Sequence, residues 1–259
     1  MKNVISFDSA RIAEGYKKRP FLHGQVIEQF TERIGQNRFH RGIDIGCGAG
    51  LSTKALRKIC GHVTGMDSSG EMIQVAKEVL GEDPAVDFFV EKAENISRVS
   101  EQMDIVTAAG VVQWVDRDAF LKGLEPRMKE GGYLLVYDFG ISDTMEENPS
   151  YTKWWKEWYL PHFPRPYRDE HQWNQEDVGK YHFRICFQDR ITLKHIFSLD
   201  DFVEFMLIQS NVNARIEKAG LKPEEVREAF MHSLDRVFGK EKRVLIFQGY
   251  SWCFQKVTP

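Results

Sequence analysis

The sequence predicts an α/β fold in which a largely parallel sheet is doubly wound by helices, and three observations predict it. Between residues 42 and 138, short apolar runs alternate with segments whose apolar side chains recur at helical spacing. The first run, holding Ile43 and Ile45, enters the turn Gly46-Cys47-Gly48-Ala49-Gly50 and then a helix. In that strand–turn–helix order glycine supplies positive φ and lets a ligand approach the backbone. Finally, Gly46, Asp67, Glu94, Ala109 and Asp138 each fall at the carboxyl end of a predicted strand, the edge at which doubly wound sheets bind ligands.

The elements follow in order. Residues 1–35 read as an amphipathic helical lid, with Val26, Ile27, Phe30 and Ile34 on one face and Gly35 as its stop; the main domain then spans 36–259. Residues 51–60 form a helix ended by Gly61, and residues 62–67 a buried strand. Ser68-Ser69-Gly70-Glu71 reads as a capping box in which the Ser68 hydroxyl and the Glu71 carboxylate satisfy free N–H groups. Met72, Val75, Ala76 and Val79 continue that helix to Gly81. Strands follow at residues 86–90, 104–109 and 133–137. Past Asp138 the composition shifts: Tyr151, Trp154, Trp155, Trp158, Tyr159, Phe163, Tyr167 and Trp173 crowd a segment that also holds Pro161, Pro164 and Pro166. Residues 140–180 therefore read as an inserted aromatic-rich helical cap, either walling an acceptor pocket or gluing an insertion to the core. The remainder reads as strands 183–189 and 191–197, helices 199–219 and 222–238 with Pro223 in a tolerated first turn, and a closing strand 243–255.

The glycine spacing carries chemistry. A dinucleotide fingerprint reads G-x-G-x-x-G, and its third glycine would fall on Leu51; here the pattern is G-x-G-x-G, with Asp44 two residues before it. A carboxylate repels a pyrophosphate and attracts an ammonium group, so the turn favours a cationic ligand over NAD or FAD. Asp67 lies about 20 residues on, the spacing expected of an acid that holds ribose hydroxyls. Met72 sits where a soft side chain packs on adenine, or in the core.

These residues resemble the class I S-adenosylmethionine-dependent methyltransferases, at motif level over roughly the first 140 residues. The resemblance implies a Rossmann-like seven-stranded sheet, mostly parallel, with an antiparallel last strand near its edge. The acid-x-G-x-G-x-G motif matches Asp44, Gly46, Gly48 and Gly50, with Cys47 inside the turn; the ribose acid matches Asp67, beside Ser68. Ala93-Glu94 resembles the small residue plus acid beside the adenine, and 104–109, ending at Ala109, the strand beneath the sulfonium. Residues 128–132 resemble the turn into the fifth strand, with Glu130 where proline is usual. Gln113-Trp114, Tyr16 and Arg19-Pro20 are similar to small-molecule enzymes acting on trans-aconitate, the malonyl group of biotin synthesis and quinone precursors. In that group the amino-terminal Tyr and Arg close over the methionyl end of the cofactor. The implied activity is in-line transfer of methyl from S-adenosylmethionine, leaving S-adenosylhomocysteine, to a carboxylate, hydroxyl or carbon acid. Acceptor candidates are Gln113, Trp114, Trp154, Trp158 and Arg168, with Arg165 and Arg184 as further cations. His162, His171, His182 and Tyr16 are possible bases.

With 259 residues, 42% of them hydrophobic, the chain can bury a sizeable core. Its net charge of −3, from 35 basic and 38 acidic residues, gives no broad attraction for phosphate backbones or anionic lipid, so a small molecule is the expected substrate, with no nucleic-acid or membrane partner. No signal peptide or membrane-length apolar run is evident, and a cytoplasmic monomer or homodimer is expected. Cys47, Cys60, Cys186 and Cys253 lack metal-ligand spacing and read as reduced thiols, with no structural metal expected. The alternatives are a nicotinamide-dependent oxidoreductase and a non-catalytic cofactor-binding protein of the same fold.

Overall fold

The computed structural model describes residues 10–99, 101–165 and 172–258. Helix α1 (Ala10–Tyr16) is followed by α2 (His23–Ile34). The apolar face of α2 is buried: Val26, Ile27 and Phe30 are each 2% exposed and pack with Phe39 and Leu56. Gly35 stops it at φ +70°, its N–H donating to Thr31 O at 3.0 Å, as a left-handed C-cap should.

Then β1 (Phe39–Ile45), α3 (Leu51–Arg57), β2 (Cys60–Asp67), α4 (Gly70–Leu80), β3 (Val86–Val90), a 3₁₀ segment (Ala93–Arg98), β4 (Met103–Ala109), α5 (Arg117–Leu124) and β5 (Met128–Met145) alternate as the pattern requires. The strands hydrogen-bond in the order β3-β2-β1-β4-β5, all parallel. The chain thus winds outward from β1 through β2 to β3, then crosses back to β4. That reversal opens a crevice above the carboxyl ends of β1 and β4.

The structure departs from the pattern in four places, three of them in the second half. Strand β5 runs to Met145 because it pairs antiparallel with β7 (Arg243–Lys256) as far as Leu245, so residues 140–145 are sheet and not insertion. The two strands expected at 183–197 are one, β6 (Phe183–Phe197), which pairs antiparallel with β7 on its other side and absorbs the irregularity as a bulge between Ile185 and Phe187. The helix expected at 199–219 is two, α9 (Leu199–Leu207) and α10 (Ser210–Ala219), broken where Gln209 takes extended geometry, ψ +139°. Ser69, not Ser68, caps α4, its Oγ accepting from the Met72 N–H at 3.3 Å; Ser68 is left exposed.

Between β5 and β6 lie α6 (Pro149–Trp154), a π-helical turn (Trp155–Tyr159), α7 (Leu160–His162) and α8 (Gln175–Gly179); α11 (Pro223–Phe238) follows α10. Trp154 is 7% exposed, stacks on Tyr151 and Tyr159, and donates its indole N–H to Ser233 Oγ of α11 at 3.0 Å. Phe163 stacks on Phe230, also of α11, at 5.1 Å. Asn211 of α10 donates to the Phe163 carbonyl at 2.6 Å and the Tyr159 hydroxyl at 2.9 Å. Tyr151, Trp154, Trp155, Tyr159 and Phe163 are therefore bonded into the core on one sheet face, whereas Trp173 packs on Phe254 at 5.2 Å on the other. A second cluster, including Ile43, Val106, Phe120 and Phe254, fills the other. Among the described residues no helix is long and apolar enough to cross a membrane.

Candidate functional site

A cleft of about 660 Å³ lies at the strand reversal. Its first wall is the glycine turn. Gly46 and Gly48 hold φ of +61° and +51°, the left-handed region that costs other residues about 1–2 kcal/mol. A Cβ on Gly46 would come within 2.4 Å of Val111 Cγ2, whereas one on Gly48 would meet nothing within 4 Å: the backbone there faces open space a ligand can fill. Asp67 sets this turn. Its Oδ2 accepts from the Gly48 N–H and its Oδ1 from the Ser69 N–H, both at 2.9 Å. The carboxylate borders the cleft with Ser68, Met72, Ala93 and Glu94. Met72 is only 3% exposed, so it serves as core and wall together. Glu94 also accepts from the Asp116 N–H at 3.3 Å, tying the end of the β3 connection to the cap of α5.

Asp44 corrects the sequence reading. It is 0% exposed and faces inward, with Oδ2 accepting from Ser52 Oγ at 2.6 Å and Thr53 Oγ1 at 2.7 Å, and Oδ1 from Thr107 Oγ1 at 2.7 Å. It clasps β1 to α3 and β4 beneath the turn. Burial pushes its pKa up to about 6, against the opposing pull of the three hydroxyl donors. Cys47 and Gly50 do not border the cleft either. The Cys47 thiol is 3% exposed and donates to Gly48 O at 3.7 Å; burial, then the charges of Asp44 and Asp67, hold its pKa far above the thiol range. That makes it inert. A Cβ on Gly50 would come within 2.7 Å of Leu80 and 3.1 Å of Ala76, so this glycine admits α4 instead of a ligand.

Tyr16 and Arg19 reach the cleft from the amino-terminal segment, the guanidinium lying 3.7 Å over the phenol ring. Arg19 Nε is buried with no hydrogen-bond partner among the described residues. The floor is Ala109 and Gly110. Gln113 Nε2 donates to Gly110 O at 2.9 Å and to Asp138 Oδ2 at 3.3 Å, and Trp114 stands at the rim, 46% exposed.

Of the other acceptor candidates, Trp154 and Trp158 do not border the cleft, since their rings are spent on the contact with α11. Arg168, His171 and Tyr167 lie outside the described residues. Arg165 donates to Ile141 O at 2.9 Å and Arg184 to Gln255 Oε1 at 2.8 Å. His162 stacks on Trp158, and His182 pairs with Glu125 at 3.6 Å. The far wall is built from residues the sequence reading did not select: His23, Tyr137 and Phe139, with Phe205, Gln209 and Phe247 from the second half. Only His23 had a sequence signal. It stands three and four residues before Val26 and Ile27, a polar side chain on the apolar stripe of its helix. The others arrive through long-range pairing.

Comparison with known proteins gives the fold its relatives. Residues 43–136 match the family described as the methyltransferase domain. A candidate methyltransferase of Dictyostelium discoideum is 23% identical over 90% of this chain and 88% of its own length. A ubiquinone biosynthesis O-methyltransferase of Chelativorans is 34% identical over 37% of this chain and 39% of its own, and that of Mesorhizobium japonicum 33% identical over 47% and 52%. The chain thus matches about two-fifths to half the length of these O-methyltransferases. In fold, the structure of a candidate type II methyltransferase from Anaeromyxobacter dehalogenans superposes with a TM-score of 0.68 at 17% identity, covering 91% of this chain and 97% of that one. The [4+2]-cyclase SpnF shares the architecture at a TM-score of 0.52 and 15% identity, over 91% and 82% of the two chains. From Ile43 to Val136, then, the chain carries the match to the methyltransferase domain, on a fold that a candidate methyltransferase structure shares over nearly its whole length.

Proposed function

We propose that the protein transfers the methyl group of S-adenosylmethionine to a small organic acceptor, with an oxygen as the favoured receiving atom. The observation that carries this reading is the division of one cleft into two halves. Around Gly46, Gly48 and Asp67 it offers positive-φ backbone, a carboxylate and the apolar Met72 and Ala93. Around Trp114, Phe139, Phe205 and Phe247 it offers aromatic walls. The O-methyltransferase relatives support oxygen as the receiving atom.

The residues present fit the cofactor. The open space over Gly48 accommodates close approach, Asp67 suits ribose hydroxyls, Met72 and Ala93 suit a flat adenine, and the unpartnered Arg19 Nε suits a carboxylate. When bound, S-adenosylmethionine supplies a methyl group activated on a positive sulfonium. The chain's own contribution is position. Asp44 braces the turn from below, Tyr16 and Arg19 cover the cleft from above, and the aromatic walls exclude water while their faces attract positive charge by about 0.5–2 kcal/mol. Holding two reactants close and aligned lowers a barrier by roughly 7–11 kcal/mol. A carboxylate acceptor needs no base; a hydroxyl gives up its proton as the new bond forms. The net charge of −3 agrees with a small acceptor and not a polyanion.

Calorimetric titration of S-adenosylhomocysteine tests the cofactor half. Wild type binds, and Asp67→Ala loses about ten- to a hundredfold in affinity, equivalent to one charge-assisted hydrogen bond of about 1.5–3 kcal/mol. Equal affinity in the two proteins refutes the assignment of Asp67. Screening phenols and small carboxylic acids for production of S-adenosylhomocysteine tests the acceptor half.

A further inference from the structure

We infer that His23 is the group that grips the acceptor, as a neutral imidazole whose Nε2–H is turned to the cleft by the Tyr137 hydroxyl, so that the acceptor must present an oxygen lone pair to it. The inference rests on the methyltransferase reading of the same cleft and names the class of acceptor: a flat oxygenated molecule, not one whose only polar groups are N–H donors.

The tautomer follows from hydrogen-bond accounting. His23 Nδ1 lies 2.9 Å from the Tyr137 hydroxyl oxygen. Tyr137 is 1% exposed, and a buried hydroxyl has to donate to something. Among the described residues, His23 Nδ1 is the acceptor that the structure gives it. The O–H therefore donates to Nδ1, and the ring hydrogen resides on Nε2. No described residue accepts from Nε2, and the half-buried ring borders the cleft.

Two aromatic rings flank the imidazole. It sits edge-on to Tyr137 at 5.7 Å between centroids and tilted against Phe139 at 5.0 Å. Burial, and after it the charge of Arg19 just before α2, keep it neutral by lowering its pKa to about 3. The other ionisable groups near it on β5 are the Tyr137 phenol, pushed well above its usual range by burial, and Asp138 next in the strand. A neutral donor suits this place physically: it would polarise an oxygen without adding a cation that would repel a positively charged cofactor in the same cleft. Tyr137 acts through His23 and is a positioning residue.

Imidazole ¹⁵N spectra of the full-length protein decide the point. The expected result is a neutral Nε2–H tautomer of His23 that does not titrate between pH 5 and 8, and a mixed tautomer in Tyr137→Phe. An Nδ1–H tautomer, or titration near pH 6.5, overturns the proposal. With S-adenosylhomocysteine bound, catechol is expected to shift the Nε2–H resonance and aniline is not; an equal response to aniline, or none to catechol, also overturns it. Failure to bind S-adenosylhomocysteine would instead remove the methyltransferase reading, and the spectra of the free protein would still report the tautomer.

Discussion

Asp44 and Asp67 end adjacent parallel strands, and the fold gives them opposite tasks. Asp67 keeps a face on the cleft while fixing two backbone N–H groups; Asp44 is sealed beneath three hydroxyls. Its pKa, raised from 3.8 to about 6, has a signed consequence. Between those values the folded chain holds a proton that the unfolded chain releases, so stability falls as pH rises from about 4 to 6, by roughly 3 kcal/mol in total. In Asp44→Asn that fall disappears, which urea unfolding at pH 4, 5, 6 and 7 measures. His23 has the opposite sign. Its folded pKa is depressed from 6.5 to about 3, so its contribution is present above pH 6.5 and is lost as pH falls toward 3. Replacing His23 by Phe therefore flattens the acid side of the same curve, and the two variants separate effects that oppose one another in the wild type.

At the scale of elements, the turn between β1 and α3 tolerates little. Gly46→Ala combines a left-handed φ with a methyl 2.4 Å from Val111 Cγ2, so the turn must shift. The expected outcome is a folded protein by circular dichroism whose affinity for S-adenosylhomocysteine is at least tenfold lower; unchanged affinity contradicts the role of this turn. The segment from α6 to α7 behaves differently. Trp154 is buried against Tyr151, Phe202 and Phe230, and truncating such a ring costs about 3–5 kcal/mol. Trp154→Ala should melt roughly 6–20 °C lower yet bind S-adenosylhomocysteine normally below its melting temperature. A loss of affinity that tracks the substitution at low temperature would return this segment to the binding site.

For the whole molecule, the decisive feature is the return of the chain from β3 to β4, which opens the cleft, and the antiparallel β7, which carries Phe247 to its far wall. A ligand that occupies this cleft only in the folded state stabilises the protein by about 2.7 kcal/mol at a hundredfold excess over its Kd. S-adenosylhomocysteine should raise the melting temperature accordingly and NADH should not. The reverse result would restore the oxidoreductase alternative.

The sequence by itself determined the alternating strands and helices to Tyr137 and the glycine turn, through local periodicity and turn chemistry, and its spacing pointed to Asp67 and Met72; Ala93, Glu94, Ala109, Gln113 and Trp114, which also border the cleft, are singled out by the resemblance to methyltransferases and not by periodicity. Only the tertiary structure decided which side chains beside those motifs turn inward. Asp44 and Cys47 sit inside the best motif and still face the core, since orientation depends on neighbours 8 to 63 residues away, such as Ser52 and Thr107. The tryptophans of 154–158 look in sequence like a binding wall, but α11 reaches them first. The far wall of His23, Tyr137, Phe205 and Phe247 is assembled from four distant stretches, and apart from the place of His23 on its helical stripe, association over such separations leaves no periodic mark in the chain.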